Sequence, residues 1–191
     1  MAGGIYHVYA RGSRQESLFE SDDDRRQYLH EWGTVAREFG IRSLAFALMS
    51  NHVHHLVEIE TPNLDEAMRI AHGTYARYYN RVHQRTGHVF EGPYGSNRLE
   101  NSGDVMYVAS YVVLNPVRAG LCGRPEEYAW SSHASAVGTA PAPSWLETRR
   151  LLEHFEPDGA VAVERYAAIV DAVRSMGAGG FEPAITRGVL S

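Results

Sequence analysis

The sequence predicts an α+β fold built on one antiparallel sheet, and three observations predict it. Short β-branched and aromatic runs alternate with longer segments whose apolar residues recur at helical spacing. Two of the short runs, Ile41 to Met49 and Val53 to Glu60, are separated only by Ser50-Asn51, as in an antiparallel hairpin. Helix start and stop residues flank the helical segments.

Taken in order, Ile5 to Arg11 has the content of a first strand, which Gly12 and Ser13 end. Ser21-Asp22-Asp23-Asp24 offers an N-cap with acids over a first helical turn, and Tyr28, Leu29, Trp32, Val35, Ala36 and Phe39 carry the helix until Gly40 stops it. The hairpin supplies the second and third strands. Pro62 and Asn63 open a second helix, with Leu64, Ala67, Met68, Ala71, Tyr75, Tyr78 and Tyr79 on its buried stripe and Arg69, Arg77, Arg81 and Arg85 exposed. His88 to Leu99 reads as a fourth strand, interrupted at Gly92-Pro93 and Gly95. A third helix runs from about Ser102 to Asn115, where Pro116 is expected to stop it. The order β-α-β-β-α-β-α begins with the six elements of the ferredoxin-like split βαβ motif. Beyond the loop Tyr128 to Gly138, a hinge at Pro141 and Pro143 leads into two amphipathic helices, Trp145 to Phe155 and Ala160 to Met176. The expected division is a main domain over residues 1–138 and a helical C-terminal annex over 139–191, ending in a Gly-rich, mobile tail from Gly177 to Ser191.

Composition narrows the function classes. With 44% hydrophobic and 21% charged residues among 191, the chain is too apolar to be disordered and long enough to bury a core. No apolar run approaches the ~20 residues that span a bilayer, and the start lacks a basic cluster followed by an apolar stretch. With a lone cysteine, Cys122, these features lead to the expectation of a soluble, cytoplasmic protein. The net charge of −5 hides an uneven distribution: residues 61–124 carry seven arginines against five acids, while both flanks are acidic. All 18 basic residues are arginine, which is consistent with coding bias and also suits phosphate recognition.

Two residue patterns carry chemistry. In His52-Val53-His54-His55 the two-residue period of a strand turns His52 and His54 to one face and His55 to the other, so two imidazoles converge and can bind a divalent metal. A hydrogen-bonded polar strand face is the plainer alternative. On the third helix, Tyr107, Tyr111 and Asn115 recur every four residues along one stripe, as core tyrosines also do.

The string Met49-Ser50-Asn51-His52-Val53-His54, followed by Tyr111-Val112-Val113-Leu114-Asn115-Pro116-Val117-Arg118-Ala119-Gly120-Leu121, resembles the REP-associated tyrosine transposases and the wider single-tyrosine HUH transposases, which act on single-stranded DNA. Tyr6-His7-Val8 with Arg11-Gly12, Leu18-Phe19, Gly87-His88-Val89-Phe90 with Gly92, and Pro125-Glu126-Glu127-Tyr128 with Trp130-Ser131-Ser132 look like the family pattern in the same order. The resemblance covers roughly residues 5–138, and more weakly Trp145 to Tyr166.

The resemblance implies that His52, His54 and Asn115 hold Mg²⁺ or Mn²⁺ against a scissile phosphate while Tyr111 attacks phosphorus, leaving a 5′-phosphotyrosine and a free 3′-OH. An unperturbed phenol, with pKa ~10, is only about 0.3% ionised near pH 7.5, and a nearby dication offsets much of that deficit. The implied partner is a DNA hairpin with a single-stranded flank, bound by a monomer or a homodimer. Arg11, Arg14, Arg77, Arg81 and Arg118, with Arg85, are the expected phosphate contacts. Tyr107 is the rival nucleophile, His55 is expected in the core, and Glu58 is either an outer partner of the histidines or a solvated strand end. At Pro93-Tyr94-Gly95 the chain lacks the basic residues that many relatives place beside the aromatic. Two other readings are a hairpin-binding protein that no longer transposes, and a metal hydrolase using His52 and His54 on a small substrate.

Overall fold

The computed structural model describes residues 3–176. Its four strands are β1 (Gly4–Arg11), β2 (Arg42–Leu48), β3 (His52–Ile59) and β4 (Gly95–Leu99), in the order β2-β3-β1-β4. Every neighbouring pair is antiparallel. Two helices make the crossovers, α1 (Asp22–Glu38) from β1 to β2 and α2 (Leu64–Val82) from β3 to β4. Each crossover skips one strand, which is the ferredoxin-like split βαβ arrangement.

Local chemistry explains the boundaries. At the start of α1 the Ser21 hydroxyl accepts from the Asp24 amide at 3.2 Å and the Asp24 carboxylate accepts from the Ser21 amide at 2.9 Å, a capping box. At its end Gly40 takes φ +63° and the Ile41 amide reaches back to the Ala36 carbonyl at 2.8 Å, a Schellman closure. Ser50 and Asn51 turn the hairpin, closed by the Met49 amide donating to the His52 carbonyl at 2.8 Å.

Strand alternation sorts the residues into two layers. Tyr6, Val8, Val57 and Ile59 pack against Trp32, Val35 and Ala36 of α1 and against Leu64, Ala67, Met68 and Ala71 of α2. On the other face Ala45, Ala47, Leu56 and Leu99 meet α3 (Ser102–Arg118) through Val105, Val108 and Val112. Beyond α3 the chain forms the short α4 (His133–Ala136), α5 (Thr148–Leu152) and α6 (Gly159–Ser175). Leu151, Tyr166 and Val170 from the last two join the same apolar cluster as α3.

Four boundaries differ from the sequence expectation. The fourth strand begins at Gly95, not His88; Phe90 makes only an isolated bridge to Gly12, and Pro93 has no N–H to give a ladder. α3 passes through Pro116 and ends at Arg118 because the Asn115 side-chain amide caps carbonyls in the preceding turn. The predicted helix from Trp145 starts only at Thr148: Leu146 bridges Ser43 at the edge of β2, and Trp145 lies over Gly33. The last helix spans Gly159–Ser175, and the expected mobile tail lies outside the described residues.

Candidate active site

The α3 side of the sheet collects the chemistry. On β3, His52, His54 and Leu56 face α3, while Val53, His55 and Val57 face α1 and α2, as the two-residue period requires. On the neighbouring β1 the same period brings His7, Tyr9 and Arg11 to the α3 side, with Tyr9 opposite His54 and Arg11 opposite His52. Tyr111 comes down onto this patch from α3. Its ring centroid is 5.8 Å from that of His54 and 6.1 Å from that of His7, both edge-on. The His52 and His54 rings are 5.0 Å apart. Arg118, two turns along α3, lays its guanidinium carbon 5.0 Å from the centre of the Tyr111 ring.

Hydrogen bonds orient the imidazoles. His52 Nδ1 is 2.8 Å from the Asn51 side-chain oxygen, and the Asn51 amide nitrogen donates to the Gln15 carbonyl at 3.4 Å. That oxygen only accepts, so His52 donates from Nδ1 and keeps a lone pair on Nε2. His54 Nδ1 is 3.0 Å from His7 Nε2, with both residues fully buried. His54 Nε2 is buried without a hydrogen-bond partner among the described residues. Asn115 donates its amide to the Tyr111 carbonyl at 2.9 Å and, more distantly, to that of Val112 at 3.5 Å. Pro116 has no N–H to give the Val112 carbonyl, so the amide repairs part of that loss and leaves its own oxygen as the end able to ligate.

Burial decides the charge state. Desolvation, with the Arg11 guanidinium nearby, pushes His52 down to about 4, and desolvation alone takes His7 to about 4. His54 falls well below the ordinary imidazole range through burial, reinforced by His7, His52, His55 and Arg11. Near pH 7 these rings are neutral, so a cation does not have to discharge an imidazolium to bind them.

The donors fit a divalent metal that carries water and phosphate as further ligands. Two imidazole nitrogens with preset or available lone pairs, one of them a partnerless buried atom, could supply two of the roughly six ligands of an octahedral Mn²⁺ or Mg²⁺. Among the described residues no three His, Cys, Asp or Glu side chains gather as a metal site.

The other sequence candidates lie elsewhere. Arg77 and Arg81 are exposed on α2, across the sheet from His52 and His54, and Arg77 donates to Thr74 at 2.9 Å. Arg14 lines a polar cleft of about 760 Å³ with Ser13, Glu16, Gln84 and Arg85, and Arg85 is paired with Glu16 and Glu20. Tyr107 packs half-buried against the α3 cluster. His55 is fully buried, 4.3 Å from the Trp32 ring and 3.0 Å from the Tyr28 hydroxyl. Glu58 is neither a solvated strand end nor a partner of the histidines: Arg150 of α5 grips both its oxygens at 2.8 and 2.9 Å, and Arg42 adds a third contact. Tyr94 of the segment without flanking basic residues donates to Asp65 at 2.7 Å.

A family model described as "Transposase IS200 like" matches residues 2–115, which run from β1 to the Asn115 of the tyrosine helix. The chain belongs to this family. The IS200-like chain is similar in fold to a REP-associated tyrosine transposase whose structure was solved bound to a REP hairpin, with a TM-score of 0.64 at 14% identity over 75% of this chain and 84% of that one. A putative transposase from Deinococcus radiodurans R1 has a TM-score of 0.42 at 16% identity, over 59% of this chain and 90% of that one. No curated protein matches the chain. No described helix of the IS200-like chain is long and apolar enough to cross a membrane.

Sequence reasoning singled out both facing histidines and the tyrosine but gave no role to His7 or Asn51. Asn51 was legible as a polar neighbour of His52; His7 needed the alternation of β1 combined with the knowledge that β1 pairs with β3.

Proposed function

We propose that this IS200-like chain is a metal-dependent nicking and joining enzyme for single-stranded DNA beside a hairpin, with Tyr111 as nucleophile. The observation that carries this reading is the meeting of a phenol, two strand imidazoles and a guanidinium at one patch, with His54 Nε2 left without a partner among the described residues. The hairpin as substrate is supported by the REP hairpin bound to the protein of similar fold.

In this reading the Tyr111 oxygen attacks phosphorus, forming a P–O(Tyr) bond as the P–O3′ bond breaks. The phenol gives up its proton as the bond forms and the leaving 3′-oxygen takes one up, so the proton count is unchanged. The product is a 5′-phosphotyrosine and a free 3′-OH, and reversal by a 3′-OH rejoins strands without ATP, because the ester keeps the bond energy. His52, His54 and the Asn115 oxygen would hold Mg²⁺ or Mn²⁺, which supplies Lewis-acid polarisation of the phosphoryl oxygens when bound. Arg118, with its guanidinium over the Tyr111 ring, would bring positive charge to a phosphate entering beside the phenol. Arg11 adds positive charge at the His52 end. Arg14, Arg77 and Arg81 would track the DNA backbone away from the cut, contacts that position without reading sequence. Residues 1–138 then carry the chemistry, and the helices after 139 brace the sheet and α3 from behind.

The test is incubation of the full chain with folded hairpins carrying single-stranded flanks, in Mg²⁺ or Mn²⁺, with a denaturing gel to detect protein-linked strand. Wild type and Tyr107→Phe are expected to form the adduct, and Tyr111→Phe to bind hairpin without forming it. Hairpin binding with no adduct from wild type under any divalent ion would leave a binding module. Adduct formation by Tyr111→Phe would move the nucleophile elsewhere.

A further inference from the structure

We infer that His7 is a positioning residue for the cation site, accepting the Nδ1 hydrogen bond of the His54 tautomer that leaves Nε2 free to ligate. The inference rests on the metal-dependent reading above and deepens it.

The link is a single contact between two imidazoles. His7 Nε2 lies 3.0 Å from His54 Nδ1, the rings are stacked with centroids 5.2 Å apart and tilted by 18°, and neither residue is exposed. One proton occupies that link, so two arrangements exist. With the proton on His7 Nε2, His54 accepts at Nδ1, must carry its own proton on Nε2, and has no lone pair to offer there. With the proton on His54 Nδ1, His7 accepts at Nε2, holds its own proton on Nδ1, and His54 Nε2 is a free donor to a cation.

The outer nitrogens, His54 Nε2 and His7 Nδ1, are both buried and have no hydrogen-bond partner among the described residues. Neither end therefore biases the pair, and a cation at His54 Nε2 selects the second arrangement. Passage from the first to the second removes a proton from His54 Nε2 and places one on His7 Nδ1, so the proton count of the pair is unchanged. The neighbouring ligand differs: Asn51 offers His52 an oxygen that only accepts, so His52 is always in its ligating form. One ligand is preset, and the other keeps a hydrogen-bond acceptor for its Nδ1 proton in the ligating tautomer, supplied by a residue 47 positions away in the chain. A ring that merely filled space would influence neither tautomer nor affinity.

The experiment uses the full-length chain without DNA. Mn²⁺ affinity is measured by calorimetry for wild type, His7→Leu and His7→Gln, and His54 tautomers are read from ¹H–¹⁵N long-range spectra in Mg²⁺. His7→Leu removes the acceptor and is expected to weaken Mn²⁺ binding about 10- to 100-fold, the usual cost of losing an outer partner of a ligating histidine. His7→Gln keeps an accepting oxygen and is expected to recover most of that affinity. In wild type His54 is expected as the Nδ1–H tautomer. Equal Mn²⁺ affinity in wild type and His7→Leu would overturn the role of His7 alone, as would an Nε2–H tautomer of His54 in the Mg²⁺-loaded wild type, a readout that stands even if His7→Leu does not fold. A wild type that binds no Mn²⁺ would overturn the metal-dependent reading, and this inference with it.

Discussion

Replacing Asn115 by Asp keeps an oxygen for a cation and removes the amide that holds the helix together around Pro116. The amide nitrogen lies 2.9 Å from the Tyr111 carbonyl and 3.5 Å from that of Val112, and Asn115 is only 8% exposed. Losing a donor to a buried carbonyl costs about 1–2 kcal/mol. A carboxylate oxygen in its place faces a carbonyl dipole of the same sign, which brings the expected loss to about 3 kcal/mol. For a chain of this size 1 kcal/mol corresponds to about 2–4 °C, so Asn115→Asp should unfold about 6–12 °C below wild type in EDTA. Asn115→Leu, which lacks the repulsion, should fall by only about half as much. Saturating Mn²⁺ should recover part of the loss in Asn115→Asp and none in Asn115→Leu, as expected when only the former supplies a ligating oxygen. Scanning calorimetry at pH 7 with and without Mn²⁺ decides the matter. An Asn115→Asp midpoint equal to that of wild type would refute the claim that this amide carries the helix through Pro116.

Three further outcomes are expected. Gly33→Ala should lower the thermal midpoint although helix propensity favours alanine by about 1 kcal/mol, because the added carbon would lie 2.2 Å from the Trp145 ring; a higher midpoint would refute that packing. Burial lowers His7 and His72 to about 4 and His55 to about 3, so the unfolded chain takes up protons that the folded one refuses. Stability is then full above about pH 6.5 and falls toward pH 4, by up to about 4 kcal/mol per pH unit for three such groups; a thermal midpoint that stays level from pH 7 to 5 would contradict this. Arg118→Met should slow adduct formation by about tenfold, with partial recovery in Arg118→Lys, in a single-turnover gel assay, and an unchanged rate would remove the guanidinium from the chemistry.

Much of the site was legible because it depends on short-range rules. A strand turns residues two apart to the same side, so the pairing of His52 with His54 and the exile of His55 follow from the letters alone. A helix brings residues four apart into line, which relates Tyr111 to Asn115, and the cap at Ser21 and the stop at Gly40 are equally local. Pro116 was misread for the same reason. The rule that proline ends a helix is local, and the amide that rescues the helix is a matter of side-chain geometry. Pro93 and the short β4 show the converse, where a β-like composition could not supply the ladder.

Sequence by itself determined the alternation of elements, the face each strand presents and which side chains are candidates for the chemistry. These are set by dihedral preferences and by a periodicity that acts over a few residues. Only the tertiary structure decided that His7 would sit against His54, that Arg150 would take Glu58 away from the site, and that Arg77 and Arg81 would lie across the sheet from it. Such contacts join residues tens of positions apart, and their distances exist only once strand order and helix packing have brought separate segments together.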